Sequence, residues 1–281
     1  MLRRLIRIIL QLIILLTVII ASFLFYIYLT DYKPSPTETL NINTHTKPIN
    51  DSINIFSFFC WNIGYAGLDK DMDFFYDGGK KTRTSRESTI RNLREIIKTI
   101  SESGHPDFIF LQEVDSLARR TYNMNQYDSI CKSFPEYSST FVKNYDVKFV
   151  PMPPAKPMGR VIAGLMTLSA YKPVESYRVA LDGEFSFPTG LFMLDRCYHL
   201  QRFTLNNGKS LVTVNTHNTA FDDGSQRKKQ IENLRELALK EYAKGNFVII
   251  GGDFNTNPQD FDPEKISPSY NPYIYFFFSK P

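Results

Sequence analysis

Apolar and polar residues alternate in blocks along the chain, and the first apolar block is the longest. Residues 8–29, IILQLIILLTVIIASFLFYIYL, contain Gln11 as their only strongly polar residue. This run exceeds the roughly 20 residues that a membrane-spanning helix needs, and it is longer than the apolar part of a typical cleavable signal peptide, the rival interpretation. The pattern therefore favours an uncleaved transmembrane anchor over residues 1–29.

Three arginines precede this apolar block, at positions 3, 4 and 7. By the positive-inside rule they predict a cytoplasmic N-terminus, so the rest of the chain is expected to be extracytoplasmic, either periplasmic or extracellular. Residues 30–52 are polar, contain three prolines and show no periodicity, which is typical of a linker. A globular domain is predicted over residues 53–281.

Short apolar runs and amphipathic stretches alternate within the predicted domain. Strands are expected at INIFSFFCWNIG, PDFIFLQEVD, VIAGLMTLSAYKPV and NFVIIGG, and a hairpin is expected around the NNG turn at residues 206–208. Helices are predicted over residues 85–103 and 225–245. Gly104 follows the first helix, and Gly245 ends the second. In the second helix the residues predicted to face inward are Ile231, Leu234, Leu237 and Ala238. The strand–helix–strand order indicates an α/β protein.

Composition narrows the function only slightly. The net charge of the 281 residues is +4, and leaving out the three N-terminal arginines gives +1 for residues 30–281. A nearly neutral domain argues against tight, non-specific binding of nucleic acid through bulk charge. The cysteines Cys60, Cys131 and Cys197 form no CxxC pair, so a structural zinc site is not expected. Cys60 is predicted to be buried. The sequence does not decide whether Cys131 and Cys197 form a disulfide.

Polar side chains follow the predicted strands at four separate places: Asn62, Glu113, His217, and Asp253 with Asn255. Each has an ordinary structural explanation on its own, as a turn residue, a solvated charge or a buried histidine. Together they fit one task. A carboxylate is a suitable oxygen ligand for Mg²⁺, and amides with an imidazole are suitable donors around a phosphate.

The motifs that carry these residues also occur together, in this order, in a known family. The chain resembles the endonuclease/exonuclease/phosphatase family, the DNase I-like superfamily, on four motifs: Trp61-Asn62, Gln112-Glu113, Thr216-His217 and Gly252-Asp253-Phe254-Asn255. There are two weaker matches. One is Gly164 and Ser169 on a single predicted strand, and the other is the R-x-x-Q pair Arg227 and Gln230 on the helix predicted over residues 225–245. The resemblance implies a four-layer α/β sandwich of two mixed sheets flanked by helices.

The resemblance also implies a role for each site residue. Glu113 would bind the divalent metal, Mg²⁺ or also Mn²⁺, with Asn62 close to both metal and phosphate. Asp253 would orient or activate the attacking water. Asn255 would stabilise the pentacovalent phosphate, and His217 would hydrogen-bond a phosphate oxygen.

One family motif is missing from the sequence. The closing Asp-His pair would follow Asn255, but the four histidines are His45, His105, His199 and His217, and none of them does. The sequence therefore predicts a domain shortened at its C-terminus. It leaves open an alternative function, a catalytically impaired family member that acts only as a binding domain.

The leading prediction is a membrane-anchored, exported, Mg²⁺-dependent phosphoesterase. It would hydrolyse phosphodiester or phosphomonoester bonds by in-line attack of water. The candidate substrates are nucleic acid, a phospholipid head group and an inositol phosphate. The membrane is contacted through the N-terminal helix, and no protein partner is inferred.

Overall fold

The described residues form α-helices and β-strands, with a run of five strands between the third and the fourth helix. The computed structural model describes residues 1–42, 46–50, 55–183, 185–220 and 222–256. The helices in these ranges are α1 (Leu2–Leu29), α2 (Arg86–Glu102), α3 (Gln126–Ser133) and α4 (Ser225–Ala243). The strands are β1 (Thr37–Thr39), β2 (Phe58–Asn62), β3 (Phe108–Ala118), β4 (Ser138–Val150), β5 (Gly159–Ser169), β6 (Glu175–Ala180), β7 (Cys197–Thr204), β8 (Ser210–His217) and β9 (Phe247–Asp253).

The strands form two mixed sheets. One sheet has the order β2-β3-β5-β4, and the other has the order β1-β6-β7-β8-β9. The pairs β2–β3 and β8–β9 are parallel, and the remaining pairs are antiparallel. Each parallel pair is joined through a helix, α2 or α4, as parallel strands require. The carboxyl ends of each parallel pair therefore lie at the same edge of their sheet.

The two sheets pack face to face, with helices on the outer faces. Phe108 and Phe110 of β3 share one buried cluster with Phe203 and Leu211 of β7 and β8, so this cluster fills the space between the sheets. On the outer faces, α2 and α3 cover the four-stranded sheet, and Leu234 of α4 packs on the five-stranded sheet. This arrangement confirms the four-layer sandwich of two mixed sheets flanked by helices.

The most regular predicted elements are found close to their expected bounds. The Ser85 hydroxyl accepts a hydrogen bond from the Ser88 backbone N–H and caps α2. Gly104 follows this helix with a φ of +87°, a conformation that costs glycine little. The hairpin predicted around residues 206–208 is formed by β7 and β8.

Two local expectations are wrong. Ile231 is 37% exposed, while Gln230 beside it is buried, because polar contacts of Gln230 turn that face of α4 inward. Cys60 is exposed, since β2 is the edge strand of its sheet. The sequence leaves a Cys131–Cys197 disulfide open, and in the structure both residues are free thiols.

Part of the segment predicted to be a linker packs on the domain. Thr37–Thr39 forms β1 and pairs with β6, at the open edge of the five-stranded sheet. Ile49 is buried in the inter-sheet core. A free sheet edge offers unpaired backbone groups to any nearby extended segment, which explains a short strand in a proline-containing stretch. The domain bounds remain predictions, and both His45 and residues 257–281 lie outside the described residues.

A layer of hydrogen-bonded polar side chains lies within the core. The Gln112 amide donates to Asn215 Oδ1 at 2.7 Å, which ties β3 to β8 across the two sheets. His199 contacts the Ser176 and Thr167 hydroxyls, both at 2.8 Å. Burial lowers the pKa of His199 to about 3, so its imidazole is neutral at physiological pH. The partnered, buried position of His199 agrees with a structural role.

The His199 environment predicts how stability depends on pH. Its pKa is about 6.5 in the unfolded chain and about 3 in the folded one, so below pH 6.5 the unfolded chain binds a proton that the folded chain does not. The free energy of unfolding should therefore fall as the pH drops from about 7 to about 5, by up to about 1.4 kcal/mol per pH unit for this group. Urea titrations followed by the fluorescence of the single tryptophan would measure it.

Replacing His199 by glutamine should make this pH dependence shallower. A His199→Gln variant keeps a polar side chain but cannot titrate. The matched control is His105→Gln, since that side chain is 72% exposed. If the free energy of unfolding fell equally steeply with pH in His199→Gln and in the wild-type protein between about pH 7 and pH 5, His199 would not be the source of the pH dependence.

The N-terminal helix forms as predicted, and its length and composition fit a membrane span. The helix Leu2–Leu29 has 28 residues and a mean hydropathy of 2.9 over its most apolar stretch. The same features fit a signal sequence, since the helix lies at the N-terminus. Its last turns contact the domain: Phe23 packs on Phe149 and Phe192 with ring centroids 6.1 and 6.2 Å apart.

Candidate active site

The two parallel strand pairs bring four of the predicted side chains together. Asn62 pairs with Gln112 in the β2–β3 register, and His217 pairs with Asp253 in the β8–β9 register. Asn62 Nδ2 donates to Glu113 Oε1 at 3.0 Å and to Asp253 Oδ2 at 2.8 Å. His217 Nε2 lies 3.8 Å from both of these carboxylate oxygens. One amide and one imidazole thus face two carboxylates contributed by different sheets.

Glu113 reaches this cluster through a β-bulge, whereas the sequence predicts it at the end of a strand. β3 continues to Ala118, and its pairing with β5 shifts register between Leu111 and Val114. Glu113 has a φ of +55°, in the left-handed region. An extra residue in a strand changes the direction of the side chain there, and such bulges are frequent beside active sites. The bulge is what directs Glu113 toward Asn62.

The glycine pair before Asp253 allows β9 to approach β8 closely. A side chain on Gly252 would place a Cβ within 2.0 Å of the Thr216 carbonyl oxygen, and its φ is +143°. Asp253 Oδ1 accepts the Asn255 backbone N–H at 2.9 Å, which forms an Asx turn. Asn255 Nδ2 donates to the Asn218 carbonyl at 2.7 Å, so one of its two amide hydrogens is engaged.

His217 is a neutral donor and acceptor in this site. Its side chain is 5% exposed, and its pKa lies well below the ordinary value because of burial and the nearby Arg196 guanidinium. The 3.8 Å contacts with the two carboxylates therefore involve a neutral imidazole and are not ion pairs. Carboxylate oxygens on that side favour the proton on Nε2. Among the described residues, Nδ1 has no hydrogen-bond partner.

Arg196 is a site residue that the sequence does not reveal. It is 9% exposed, and its Nη1 donates to the His217 carbonyl at 3.3 Å. Burial lowers its pKa to about 10, while Glu113 and Asp253 act in the opposite direction. Arg196 lies just before β7 in an irregular segment, so no periodicity or motif marks it. It supplies a positive charge beside the two carboxylates.

Asn218 also belongs to the site, and adjacency to Thr216-His217 is its only sequence signal. Its backbone N–H donates to the Asp253 carbonyl at 2.8 Å, which extends the β8–β9 pairing by one bond. Its side-chain oxygen accepts the Thr216 hydroxyl at 2.8 Å. Asn218 therefore fixes the loop that leaves β8.

The R-x-x-Q pair on α4 supports that loop from behind. Gln230 accepts the Thr219 backbone N–H at 2.8 Å and donates to the Thr219 hydroxyl at 2.8 Å. Arg227 donates to the Ala220 carbonyl at 3.2 Å. Both side chains are buried. The role of these two residues is to position the segment after His217.

The cluster formed by Asn62, Glu113, His217 and Asp253 fits Mg²⁺ by the chemistry of its donors. No group of three or more His, Cys, Asp or Glu side chains has metal-site geometry within residues that the structure describes. Zn²⁺ usually takes such a set, whereas Mg²⁺ commonly binds through one or two carboxylates and keeps water and phosphate ligands. Glu113 and Asp253 supply two carboxylates, each about a quarter exposed to the cleft. Mn²⁺ accepts the same oxygen donors.

The electrostatics of Glu113 are also consistent with a cation. Burial raises its pKa, and Arg120, the Asn62 amide and Arg196 oppose that rise. A carboxylate in this position bears a desolvation cost that an adjacent cation would offset. Arg120 itself is held by a bidentate contact with Asp115 at 2.8 and 3.1 Å, so its charge is largely compensated.

Comparisons with known proteins agree with this fold. The Endonuclease/Exonuclease/phosphatase family model matches residues 53–279. An endonuclease/exonuclease/phosphatase from Beutenbergia cavernae DSM 12333 has a similar structure, with a TM-score of 0.51, 18% identity, and coverage of 77% of this chain and 50% of that chain. No curated protein matches the chain in sequence.

Two further solved structures show weaker similarity. The human Nocturnin catalytic domain matches with a TM-score of 0.47 and 19% identity, over 73% of this chain and 65% of that one. A humanized D. rerio TDP2 matches with a TM-score of 0.45 and 18% identity, over 72% and 67%. The chain thus spans half to two thirds of the length of these proteins. Because the family model covers most of the chain, this protein belongs to the endonuclease/exonuclease/phosphatase family.

Proposed function

We propose that this protein is a membrane-anchored, exported, Mg²⁺-dependent phosphoesterase that hydrolyses a phosphodiester or a phosphomonoester. The observation that carries the proposal is the contact of Asn62 with both Glu113 and Asp253, with His217 Nε2 3.8 Å from each carboxylate. Family membership supports phosphoester chemistry in general. Mn²⁺ is expected to replace Mg²⁺ because both prefer oxygen ligands.

Each side chain has a role that its environment suits. Glu113, with Asn62 beside it, would hold the divalent cation, which when bound neutralises negative charge on the phosphoryl oxygens. Asp253 would orient a water molecule and accept its proton, since its carboxylate is accessible from the cleft. His217, neutral and protonated on Nε2, would donate to a phosphoryl oxygen.

The remaining donors would stabilise the charge that develops in the transition state. Asn255 has one amide hydrogen left after its bond to the Asn218 carbonyl. Arg196 lies behind His217 and contributes positive charge in a buried setting. Donors that are already fixed need little reorganisation when the water attacks in line with the leaving oxygen.

The anchored location rests on α1 and its flanking charges. Three arginines and no acidic residue lie in the first eight residues, which supports a cytoplasmic N-terminus and an exported domain. Recovery of the full-length chain in the membrane fraction is the expected result of cell fractionation. A soluble chain that lacks residues 1–29 would instead identify the helix as a cleaved leader.

The activity can be tested on the full-length protein in detergent micelles. Bis-p-nitrophenyl phosphate and p-nitrophenyl phosphate represent a diester and a monoester. We expect Mg²⁺ or Mn²⁺ to support hydrolysis of at least one of them and a chelator such as EDTA to abolish it. A folded protein that hydrolyses neither ester with either metal would overturn the proposal and favour a binding domain without catalysis.

A further inference from the structure

The wall of the active-site cleft is mostly apolar. Beyond the polar cluster, the cleft is lined by Phe74, Tyr76, Tyr145, Phe185, Met193 and Leu194, among others. A phosphate group alone needs hydrogen-bond donors and cations, and none of these side chains offers a charge. A wall of this kind indicates that the part of the ligand next to the phosphate is apolar.

Basic side chains are few on this wall. Among the described residues that line the cleft, Arg120 and Arg196 carry a positive charge, while His217 is neutral. Arg120 is paired with Asp115, and Arg196 is buried behind His217. A polynucleotide is usually held by several lysines and arginines along its phosphates, and a polyhydroxylated ring requires many polar partners. The lining therefore suits a ligand with one phosphoester group and an apolar body.

One segment of the chain, which contains Phe185 and Arg196, lies between the active-site cleft and the end of the N-terminal helix. Phe185, Met193, Leu194 and Arg196 line the active-site cleft, and the same residues line a second groove that contains Tyr28 and other residues at the exit of α1. Phe23 packs on Phe192 of this segment, and Ile27 is 2% exposed against the domain. The helix is thus docked on the segment that forms one wall of the active site.

Exposed apolar side chains occur on the loops that border this region. Phe187 is 68% exposed and lines the groove beside Tyr28. Met152 is 44% exposed, and its carbonyl accepts the backbone N–H of Met158, which lines the cleft. Single exposed apolar residues are common on protein surfaces. Phe187 lies in the groove that contains Tyr28, at the end of the apolar helix, a position that suits contact with lipid.

We infer that the substrate is a lipid phosphoester taken from the bilayer in which α1 is anchored. Its aliphatic part would lie against the wall formed by Phe185, Met193 and Leu194, and its phosphate would reach Glu113 and Asp253. This inference rests on the proposed phosphoesterase function. It selects one of the three substrate classes considered from the sequence, because apolar lining, scarce basic residues and a neighbouring anchor all favour it.

The test uses the full-length protein reconstituted in phosphatidylcholine vesicles with Mg²⁺. The lipid probes are phosphatidic acid as a monoester and sphingomyelin as a diester, added to the vesicles. Their soluble counterparts, glycerol 3-phosphate and phosphocholine esters of glycerol, carry the same phosphate without chains. We expect kcat/KM for at least one lipid to exceed that for its soluble counterpart by about 100-fold or more, because burial of several methylene groups adds binding energy.

Variants of the wall provide an independent readout. Met193→Ser should lower lipid hydrolysis by about tenfold or more. Hydrolysis of the p-nitrophenyl esters should fall less than hydrolysis of the lipids, because these esters lack the aliphatic chains that the wall would contact, and the melting temperature should change little. The matched control is Leu239→Ser, since this apolar residue is 52% exposed on α4 and lies outside the cleft lining. A Met193→Ser protein with wild-type activity on lipid would contradict the inference.

The outcomes separate the inference from the function on which it rests. Hydrolysis of a p-nitrophenyl ester without any preference for lipid over its soluble counterpart would sink the lipid inference and leave the phosphoesterase standing. Faster hydrolysis of single-stranded or double-stranded DNA than of either lipid would do the same. Failure on every ester would remove the proposed function itself.

Discussion

A Glu113→Gln variant is expected to lose about 10³-fold in the rate of Mg²⁺-dependent phosphoester hydrolysis. Glutamine keeps the size and one oxygen of the side chain but removes the negative charge that a hard divalent cation requires. Removal of a single preorganised group from the site of charge development typically lowers kcat by 10²- to 10³-fold, and a metal ligand acts on both binding and chemistry. Initial rates at saturating Mg²⁺ would measure the loss.

The control for this variant is Glu232→Gln on α4. Glu232 is about half exposed and pairs with Arg235 on the same helix face, so its replacement should leave the rate unchanged. A Glu113→Gln protein that is folded and retains more than about a tenth of the wild-type rate would contradict the role assigned to Glu113.

The second large effect is expected for Asp253→Asn. Asparagine can still accept the Asn255 backbone N–H, so the turn after β9 should be retained. It cannot accept a proton from water, and loss of a positioned general base lowers rates by about 10²- to 10⁴-fold. We expect kcat to fall by about 10³-fold, with a smaller change in Mg²⁺ affinity than for Glu113→Gln.

Asp182→Asn serves as the comparison for Asp253→Asn. Asp182 is exposed and accepts a hydrogen bond from Asn233 Nδ2 at 3.1 Å on the surface. Its replacement should leave both kcat and Mg²⁺ affinity close to wild type. Equal losses of Mg²⁺ affinity in the Asp253 and Glu113 variants would show that Asp253 acts mainly as a metal ligand, against the role in water activation proposed above.

Regular elements were predictable because their patterns are local. The α2 helix combines a Ser85 cap, apolar residues on one face and Gly104 after its end, and each of these signals lies within the segment itself. The β7–β8 hairpin is similar, since its turn and alternation are adjacent in sequence. In contrast, Lys143, Asn144 and Asp146 interrupt the apolar pattern of β4, and this segment is a strand because it pairs with β5. Such elements depend on partners that sequence alone does not specify.

The sequence indicated most of the side chains that lie together in the candidate site, but not Arg196 and not the geometry. Asn62, His217 and Asp253 follow short apolar runs, so the sequence shows where their strands end. The bulge that directs Glu113 is visible only in the pairing of β3 with β5, because the register shift is a property of two strands. Arg196 lies in an irregular segment, and only tertiary packing brings it behind His217.

The most direct test of the central claim is Mg²⁺ binding, measured by calorimetric titration of the full-length protein and of Glu113→Gln. The claim is that the cluster of Asn62, Glu113, His217 and Asp253 holds a divalent cation through Glu113. We predict saturable binding with one site in the wild-type protein and at least about a tenfold weaker affinity in the variant, with Glu232→Gln unchanged. Identical Mg²⁺ binding by wild-type protein and Glu113→Gln, or no binding by folded wild-type protein, would contradict it.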